Sequence, residues 1–209
     1  MVKLFAKNVT VRKEFIRMVN LPRVTQILQV AGLVNFDMVK EDVLRRACAF
    51  GSAVHKACEL WDSKILNIVE FVNNPKTKPL VPYLESWKQF LKDYDLSFEP
   101  EEIENRLISE KYGFGGMPDR WHRKKGILPD IKTSTQMYPS TAIQTMAYQM
   151  LVEENYKIKI KQRLGVQLTE KGYKISPYTD SSDKAVFLAC LHVFNWKKRY
   201  NLLDKDSGK

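Results

Sequence analysis

Residues 116–134, GMPDRWHRKKGILPDIKTS, carry the residue types with the clearest chemical potential in the chain. Asp119 lies eleven residues before Asp130, and Lys132 follows Asp130 by two residues. Side chains two apart on a β-strand point to the same face, so we expect Asp130 and Lys132 to lie side by side. If Asp119 shares that face, two carboxylates and an ammonium group converge.

The composition of residues 115–133 predicts an antiparallel hairpin. GMPDRWH contains few helix formers, ILPDIKT alternates around β-branched residues, and RKKG forms the turn, with Gly126 at its end. Residues eleven apart then lie opposite each other near the free ends of the hairpin. Pro129 has no N–H to donate, which predicts a strand edge or a bulge at that position.

This cluster suits phosphoester chemistry. Two close carboxylates repel each other unless a cation lies between them, and Mg²⁺ is commonly held by one or two carboxylates, waters and phosphates. A lysine beside the ion orients or deprotonates the attacking water, or neutralises charge on the phosphate. Taken alone, however, the spacing favours a solvated ion pair on a surface hairpin, because Asp and Lys are common residues.

The composition bounds the architecture and the partners. A chain of 209 residues, 44% apolar and 28% charged, is long enough for one sizeable core, so we expect a single domain, 1–209, with an N-terminal arm, 1–21. A net charge of +10 favours a polyanionic partner, either nucleic acid or an acidic membrane surface. No apolar run of transmembrane length is present, so we expect no membrane insertion.

The three cysteines, Cys48, Cys58 and Cys190, form no C-x-x-C pair. This pattern is typical of a reduced, cytoplasmic protein, and it predicts neither a zinc nor an iron–sulfur motif.

The remaining patterns predict an α/β or α+β domain with a small mixed sheet flanked by helices. Helical patterns cover 40–65, with a break near Gly51, then 82–95, 138–155 and 182–200. Strand patterns cover 101–109 and a second hairpin, 161–178. Thr25 and Ser140 are predicted helix N-caps, and Pro82 is a predicted helix start.

Further polar residues have spacings that suit the cluster. Gln144 and Tyr148 are four residues apart and share a helix face, as do Gly51 and His55. Glu104 lies on the predicted strand before the hairpin, where the alternation of side chains allows it to face the same side as Asp130. The alternative is structural: a core Tyr148, a solvated Gln144 and a structural histidine.

In chain order, the segments GSAVH, GGMPD, DIKTS and QTMAY resemble motifs of the PD-(D/E)XK nuclease superfamily in its RecB-like branch. That branch carries G-x-x-x-H, G-x-x-D, (D/E)-x-K and Q-x-x-x-Y in this order. The matching pairs are Gly51 and His55, Gly116 and Asp119, Asp130 and Lys132, and Gln144 and Tyr148. The resemblance covers residues 22–200 and is closest to bacteriophage-encoded exonuclease-like members. Each motif alone is unspecific, and the ordered set is specific.

The resemblance implies a restriction-endonuclease-like core and a DNA nuclease that depends on Mg²⁺ or Mn²⁺. It implies Asp119, Asp130, His55 and the backbone carbonyl of Ile131 as metal ligands, with Lys132 assisting the attacking water. Iron–sulfur members of this branch carry four cysteines, so no cluster is expected here.

The resemblance also implies roles around the metal. Gln144 and Tyr148 support the site and touch DNA, and Glu104 matches a less constant acidic position. Predicted phosphate contacts are Thr133, Ser134, Arg120, Arg123, Lys124 and Lys125; for the last three, a solvated turn is an equal alternative. The basic segment 195–200 is a second predicted contact, although a helix C-terminus favours basic residues in any case.

Three functions stay open at this point. The first is an exonuclease of DNA replication, recombination or repair, with recombination or replication proteins as further partners and the host cytoplasm as its location if the chain is phage-encoded. The second is a DNA-binding or regulatory protein without cleavage, which two clustered acids beside phosphate argue against. The third is an endonuclease.

Overall fold

The computed structural model describes residues 21–35 and 39–203, so the predicted N-terminal arm lies outside the described residues except at its last position. The helices of this part are α1 Val24–Val30, α2 Glu41–Asp62, α3 Ile68–Asn73, α4 Val81–Asp93, α5 Ser140–Tyr156 and α6 Asp183–Arg199. Its strands are β1 Leu107–Ser109, β2 Phe114–Gly116, β3 Ile127–Lys132, β4 Gln162–Thr169 and β5 Gly172–Tyr178. The predicted α/β class, with a mixed sheet flanked by helices, is confirmed.

The mixed sheet has the order β3-β4-β5. Strand β3 runs parallel to β4, from the pair Ile127–Gln162 to the pair Lys132–Gln167, and α5 makes the crossover between them. Strand β5 returns antiparallel to β4, so the predicted hairpin over 161–178 is confirmed. Among the described residues, β3 is the outer strand of this sheet, so the edge position predicted from Pro129 is also confirmed.

The predicted hairpin over 115–133 is wrong. Strand β2 pairs with β1 in a separate two-stranded sheet, and within the described residues a single bridge, His122–Ile127, is antiparallel across the turn. The turn itself is present, with Gly126 at φ 66°. Five of the six residues of β3 are buried, and a strand covered on both faces favours parallel pairing with β4 between layers of helices over an exposed hairpin.

Several predicted helix details also need correction. Helix α2 continues through Gly51 without a break, since the glycine serves close packing: a Cβ there would lie 3.1 Å from Thr133 Oγ1. The N-cap positions are Arg23 and Pro139, so neither Thr25 nor Ser140 is a cap. Helices α4 and α6 match the predicted segments closely, with Pro82 in the first turn of α4.

Two apolar clusters lie on opposite sides of β3. Leu128 packs with the cluster of α1, α5 and α6, whereas Ile127 and Ile131 pack with the cluster of α2 and α4. Since alternate strand residues face opposite sides, Asp130 and Lys132 share the α5 side with Leu128. The strand therefore directs its two charged residues toward one helix. Among the described residues, no helix combines the length and apolar character needed to cross a bilayer.

Candidate active site

Asp130 and Lys132 form an ion pair at the carboxyl end of β3, with Lys132 Nζ 2.6 Å from Asp130 Oδ2. The predicted shared face is therefore confirmed. Burial raises the pKa of Asp130, the Lys132 charge opposes that rise, and the nearby Asp119 charge adds to it, giving a pKa of about 6. Burial lowers the pKa of Lys132, but Asp130 and Asp119 outweigh it, so the lysine is cationic and its pKa is raised.

Asp119 reaches the same place from the loop after β2. The backbone N–H of Ile131 donates to Asp119 Oδ2 at 2.7 Å, which fixes the carboxylate against β3. The two acids therefore converge as predicted, although a loop contact and not a hairpin ladder joins them. Burial by itself raises the pKa of Asp119, but the charge and hydrogen bond of His55, then Lys132 and the Ile131 N–H, lower it to about 2.

His55 of α2 faces Asp119 across a cleft, with Nδ1 3.2 Å from Asp119 Oδ1. Burial lowers the pKa of this imidazole, and the Asp119 charge and hydrogen bond raise it by more, so the net pKa is raised. His55 is thus held by a carboxylate and is not packed only among apolar groups, which favours a role in the site over the purely structural alternative.

Glu104 joins this cleft from an unexpected backbone conformation. The predicted strand over 101–109 is confined to Leu107–Ser109, and Glu104 has φ 41°, in the left-handed region. Its N–H donates to the Asp119 carbonyl at 3.0 Å, and its Oε1 lies 3.5 Å from Arg120 Nη1. The bend brings the Glu104 carboxylate to Asp119.

Three side chains offer ligand atoms that all lie within 4.8 Å of one another: His55, Glu104 and Asp119. One imidazole nitrogen and two carboxylates form a donor set that suits Mn²⁺, and Mg²⁺ accepts its carboxylates. This set differs from the predicted one, because Asp130 is paired with Lys132 and lies outside it. Glu104, which the resemblance matches to a less constant acidic position, lies inside it.

A polar chain extends from Lys132 into α5. Lys132 Nζ donates to Gln144 Oε1 at 3.1 Å, and Gln144 Nε2 donates to the Tyr148 hydroxyl at 3.1 Å. Burial first, then the charges of Asp130 and Asp119, raise the pKa of Tyr148, so its hydroxyl stays protonated. Tyr148 is 6% exposed, so its ring supports the site from inside, and its predicted contact with DNA stays a prediction.

The two motif glycines allow elements to meet at this site. A Cβ on Gly116 would lie 2.9 Å from both Leu151 Cδ1 and Tyr148 Cε1, closer than van der Waals contact allows. Gly116 therefore lets β2 lie directly on α5, while Gly51 lets α2 approach Thr133 at the end of β3.

Arg120, a predicted phosphate contact, is wrong in that role. Its side chain is fully buried, its Nε lies 2.6 Å from Asp62 Oδ2, and its Nη1 donates to the Asp119 carbonyl. The Trp87 Nε1–H donates to the same Asp62 carboxylate at 3.0 Å. The buried Asp62 carboxylate holds the guanidinium away from solvent. Arg120 therefore supports the cluster through its hydrogen bond to the Asp119 carbonyl.

The basic turn before β3 lies at the opposite end of that strand from Lys132, about 13 Å along the strand from Asp130. Lys125 Nζ is bonded to the Tyr94 and Asp95 carbonyls and to the Asp95 carboxylate, so it anchors the turn. Arg123 lies over the rings of Trp121 and Tyr156. The remaining predicted phosphate contacts, Arg123, Lys124, Thr133 and Ser134, stay predictions.

The cleft contains residues that the sequence reasoning missed. Its volume is about 340 Å³, and its lining includes Ser52, Lys56, Glu59 and Met117 beside the residues already described. Ser52, Lys56 and Glu59 follow the i, i+4, i+7 spacing of a helix face that also contains His55. This polar stripe on α2 is the sequence pattern that indicates these cleft residues.

No protein-family model matches the chain, and no curated protein matches it. The four ordered motifs therefore remain a resemblance, and the functional argument rests on the site itself.

Proposed function

We propose that this protein is a metal-dependent DNA nuclease that hydrolyses phosphodiester bonds. The observation that carries the proposal is the convergence of Asp119, Asp130 and Lys132 beside His55 and Glu104. Acids, an ammonium group and an imidazole held together next to one open cleft are the groups that metal-assisted phosphoester hydrolysis requires.

His55, Glu104 and Asp119 are the residues that would hold Mg²⁺ or Mn²⁺, since their ligand atoms lie within 4.8 Å of one another. When bound, the ion supplies Lewis-acid activation of water and neutralises phosphate charge. Asp130 lies outside this set but contributes negative charge next to it, because its charge influences the pKa of His55.

Lys132 is the group of this chain best arranged to act on the reacting phosphate. Asp130 and Gln144 hold its Nζ at 2.6 Å and 3.1 Å, so little side-chain freedom remains to be lost when a substrate binds. A fixed ammonium group stabilises negative charge as it develops on the phosphate and orients the attacking water. Tyr148 and Gln144 keep that ammonium group in place.

The net charge of +10 supports a nucleic-acid substrate, and the motif resemblance supports DNA and an exonuclease mode of action. In this proposal the protein acts in DNA replication, recombination or repair, in the cytoplasm, alongside recombination or replication proteins. The bound polyanion would contact the cleft between α2 and the loop that carries Met117 and Asp119.

The test uses end-labelled single-stranded DNA, end-labelled duplex DNA and covalently closed circular DNA, each with Mg²⁺, Mn²⁺ or EDTA. We expect metal-dependent degradation of linear substrates only, with no cleavage in EDTA. A Lys132→Ala protein purified in parallel controls for contaminating nucleases. Cleavage of the closed circle would indicate an endonuclease, and DNA binding without cleavage by any metal would overturn the nuclease proposal.

A further inference from the structure

The side chain of Tyr178, the last residue of β5, ends in a buried hydroxyl. Among the described residues, this hydroxyl has no hydrogen-bond partner. Tyrosine hydroxyls usually find a partner when they are buried, because a buried polar group without one costs free energy. An unpaired hydroxyl at this place in the fold therefore calls for a partner that serves a purpose.

The register of the sheet places the Tyr178 hydroxyl beside Asp130. Gly165 of β4 pairs with Asp130 on one side and with Ser176 on the other, so these three residues share the α5 face of the sheet. Tyr178 Oη lies 2.7 Å from the position that a Cβ of Gly165 would occupy. Since paired strands are about 4.8 Å apart, the hydroxyl lies within about 8 Å of Asp130 Cβ.

Gly165 makes this approach possible. A glycine weakens the interior of a strand and often marks the close approach of another group. A Cβ at this position would lie 2.7 Å from Tyr178 Oη and 2.6 Å from Met137 Cε, closer than van der Waals contact allows. The middle strand of the sheet thus carries a glycine where the tyrosine hydroxyl reaches the row of Asp130.

Asp130 offers an acceptor that suits this donor. The residue is 1% exposed, and apart from the ion pair with Lys132 its Oδ2 accepts no hydrogen bond from the described residues. A carboxylate oxygen accepts more than one hydrogen bond, and a buried ion pair is favourable only when its remaining lone pairs are satisfied. One bridging water between Tyr178 Oη and Asp130 Oδ2 satisfies both groups over this separation.

The protonation state of Tyr178 fits the role of a donor. Burial raises the pKa of its hydroxyl, and the Asp130 charge raises it further. The opposing effects, which are smaller together, come from Thr141, Lys132 and Ser176. The hydroxyl therefore keeps its proton at neutral pH and has it to donate.

We propose that Tyr178 is a positioning residue of the candidate site, whose hydroxyl donates through one water to the Asp130 carboxylate and keeps it turned toward Lys132. The carboxylate in turn holds the ammonium group, with Lys132 Nζ 2.6 Å from Asp130 Oδ2. Tyr178 thus acts from β5 on the same lysine that Gln144 holds from α5. The effect on cleavage rests on the proposed function, whereas the contact with Asp130 does not.

The first test detects the contact in EDTA and without DNA. In protein labelled with ¹³C at tyrosine Cζ, a hydroxyl that exchanges slowly gives two Cζ signals in mixed H₂O and D₂O, and Tyr178→Phe identifies the Tyr178 signals. We expect slow exchange in the wild type and faster exchange in Asp130→Asn, because a neutral amide is the weaker acceptor. Fast exchange in the wild type, or slow exchange in both proteins, would overturn the contact.

The second test measures single-turnover cleavage in Mg²⁺ and equilibrium DNA binding in Ca²⁺. We expect Tyr178→Phe to lower the rate at saturating DNA by about 10-fold, the scale of one hydrogen bond to a charged group, with unchanged DNA affinity. Tyr173→Phe is the matched control on the same strand, because its hydroxyl donates to Asp93 outside the site. This control should cleave at the wild-type rate.

Gly165→Ala displaces the hydroxyl without removing a polar group, since the added Cβ would lie 2.7 Å from Tyr178 Oη. We expect it to lower the cleavage rate as Tyr178→Phe does, and we expect the double variant to be no slower than the slower single variant. Additive losses, or full activity of Tyr178→Phe in a protein whose wild type cleaves, would overturn the positioning role and leave the nuclease proposal intact. A wild type that does not cleave would overturn the nuclease proposal, and the exchange test then decides the Asp130 contact by itself.

Discussion

The backbone N–H of Ile131 donates a hydrogen bond to Asp119 Oδ2 at 2.7 Å. This bond joins the loop after β2 to β3 although the two strands do not pair. It holds one acid beside the strand that carries the other, Asp130. The position of the Asp119 carboxylate therefore depends on a buried backbone donor, and removing the side chain would affect both the fold and the site.

We expect Asp119→Asn to separate these two effects. The amide oxygen still accepts from the Ile131 N–H, so Asp119→Asn loses only the charge contacts with His55 and Lys132 that lower the pKa of Asp119. Its free energy of unfolding in EDTA should therefore fall by less than that of Asp119→Ala, while Mn²⁺ binding and cleavage should fall by about 10²-fold or more. Asp119→Ala should lose the same functions and also about 1–3 kcal/mol of stability, because the donor is left unpaired. Urea unfolding and Mn²⁺ binding measured by electron paramagnetic resonance check this. Equal stabilities of the two variants would contradict it.

Local periodicity accounts for the parts of the site that the sequence predicted well. The period of two on a strand places Asp130 beside Lys132, and the helical period places Gln144 beside Tyr148. The hairpin of β4 and β5 and the final helix are likewise short-range features, and these predictions are confirmed.

The missed features depend on partners distant in sequence. Strand β3 pairs with β4, which follows the intervening helix α5. The turn residues 123–126 are compatible with a hairpin and do not indicate this parallel pairing. Arg120 is buried because Asp62, 58 residues earlier, accepts from its guanidinium. Glu104 reaches the cleft because its backbone adopts a positive φ. The alternation of residues around it predicts a strand and gives no sign of that conformation.

The second prediction concerns the ligand set. If His55, Glu104 and Asp119 hold the ion, Glu104→Gln should weaken Mn²⁺ binding by about 10-fold or more, since losing even a residue that only supports a ligand typically costs about 10–100-fold. Glu59→Gln is the matched control, because Glu59 lines the same cleft but pairs with Lys56 at 2.7 Å. Equal Mn²⁺ affinities of these two variants would remove Glu104 from the set.

The third prediction asks whether His55 is a ligand or a core residue. We expect His55→Ala to lower Mn²⁺ affinity and cleavage with little change in melting temperature in EDTA. The reason is that the imidazole contacts the Asp119 carboxylate of the site, with Nδ1 3.2 Å from Oδ1. A drop in melting temperature with unchanged activity per folded molecule would show instead that the imidazole is structural.

The fourth prediction concerns the buried pair behind the site. Arg120→Met leaves the Asp62 carboxylate buried without its cation, so we expect a loss of about 3–5 kcal/mol in the free energy of unfolding. Arg123→Met is the control, because Arg123 is the next arginine along the chain and its side chain is 44% exposed. We expect this substitution to cost at most about 1 kcal/mol. Urea denaturation of both proteins is the measurement. Similar midpoints would mean that the Asp62–Arg120 pair does not stabilise the fold.

The last prediction separates binding from chemistry at Lys132. Its Nζ lies between Asp130 Oδ2 and Gln144 Oε1, so its loss should remove transition-state stabilisation more than ground-state affinity. We expect Lys132→Ala to lower the single-turnover cleavage rate by about 10²-fold or more. DNA affinity should change little, because one lysine is a small share of the electrostatic contribution of a basic protein.

Lys132→Arg should not restore the rate, because a planar guanidinium does not fit between the two oxygens that hold the ammonium group and does not lose its proton. Lys56→Ala serves as the control, since Lys56 is a cation that lines the cleft beside His55 and Asp119 and pairs with Glu59. The measurements are equilibrium DNA binding in Ca²⁺ and single-turnover cleavage in Mg²⁺ for all four proteins. If Lys132→Ala cleaves as fast as the wild type while Lys56→Ala does not, the positioned cation is Lys56, and the role assigned to β3 in the chemistry is wrong.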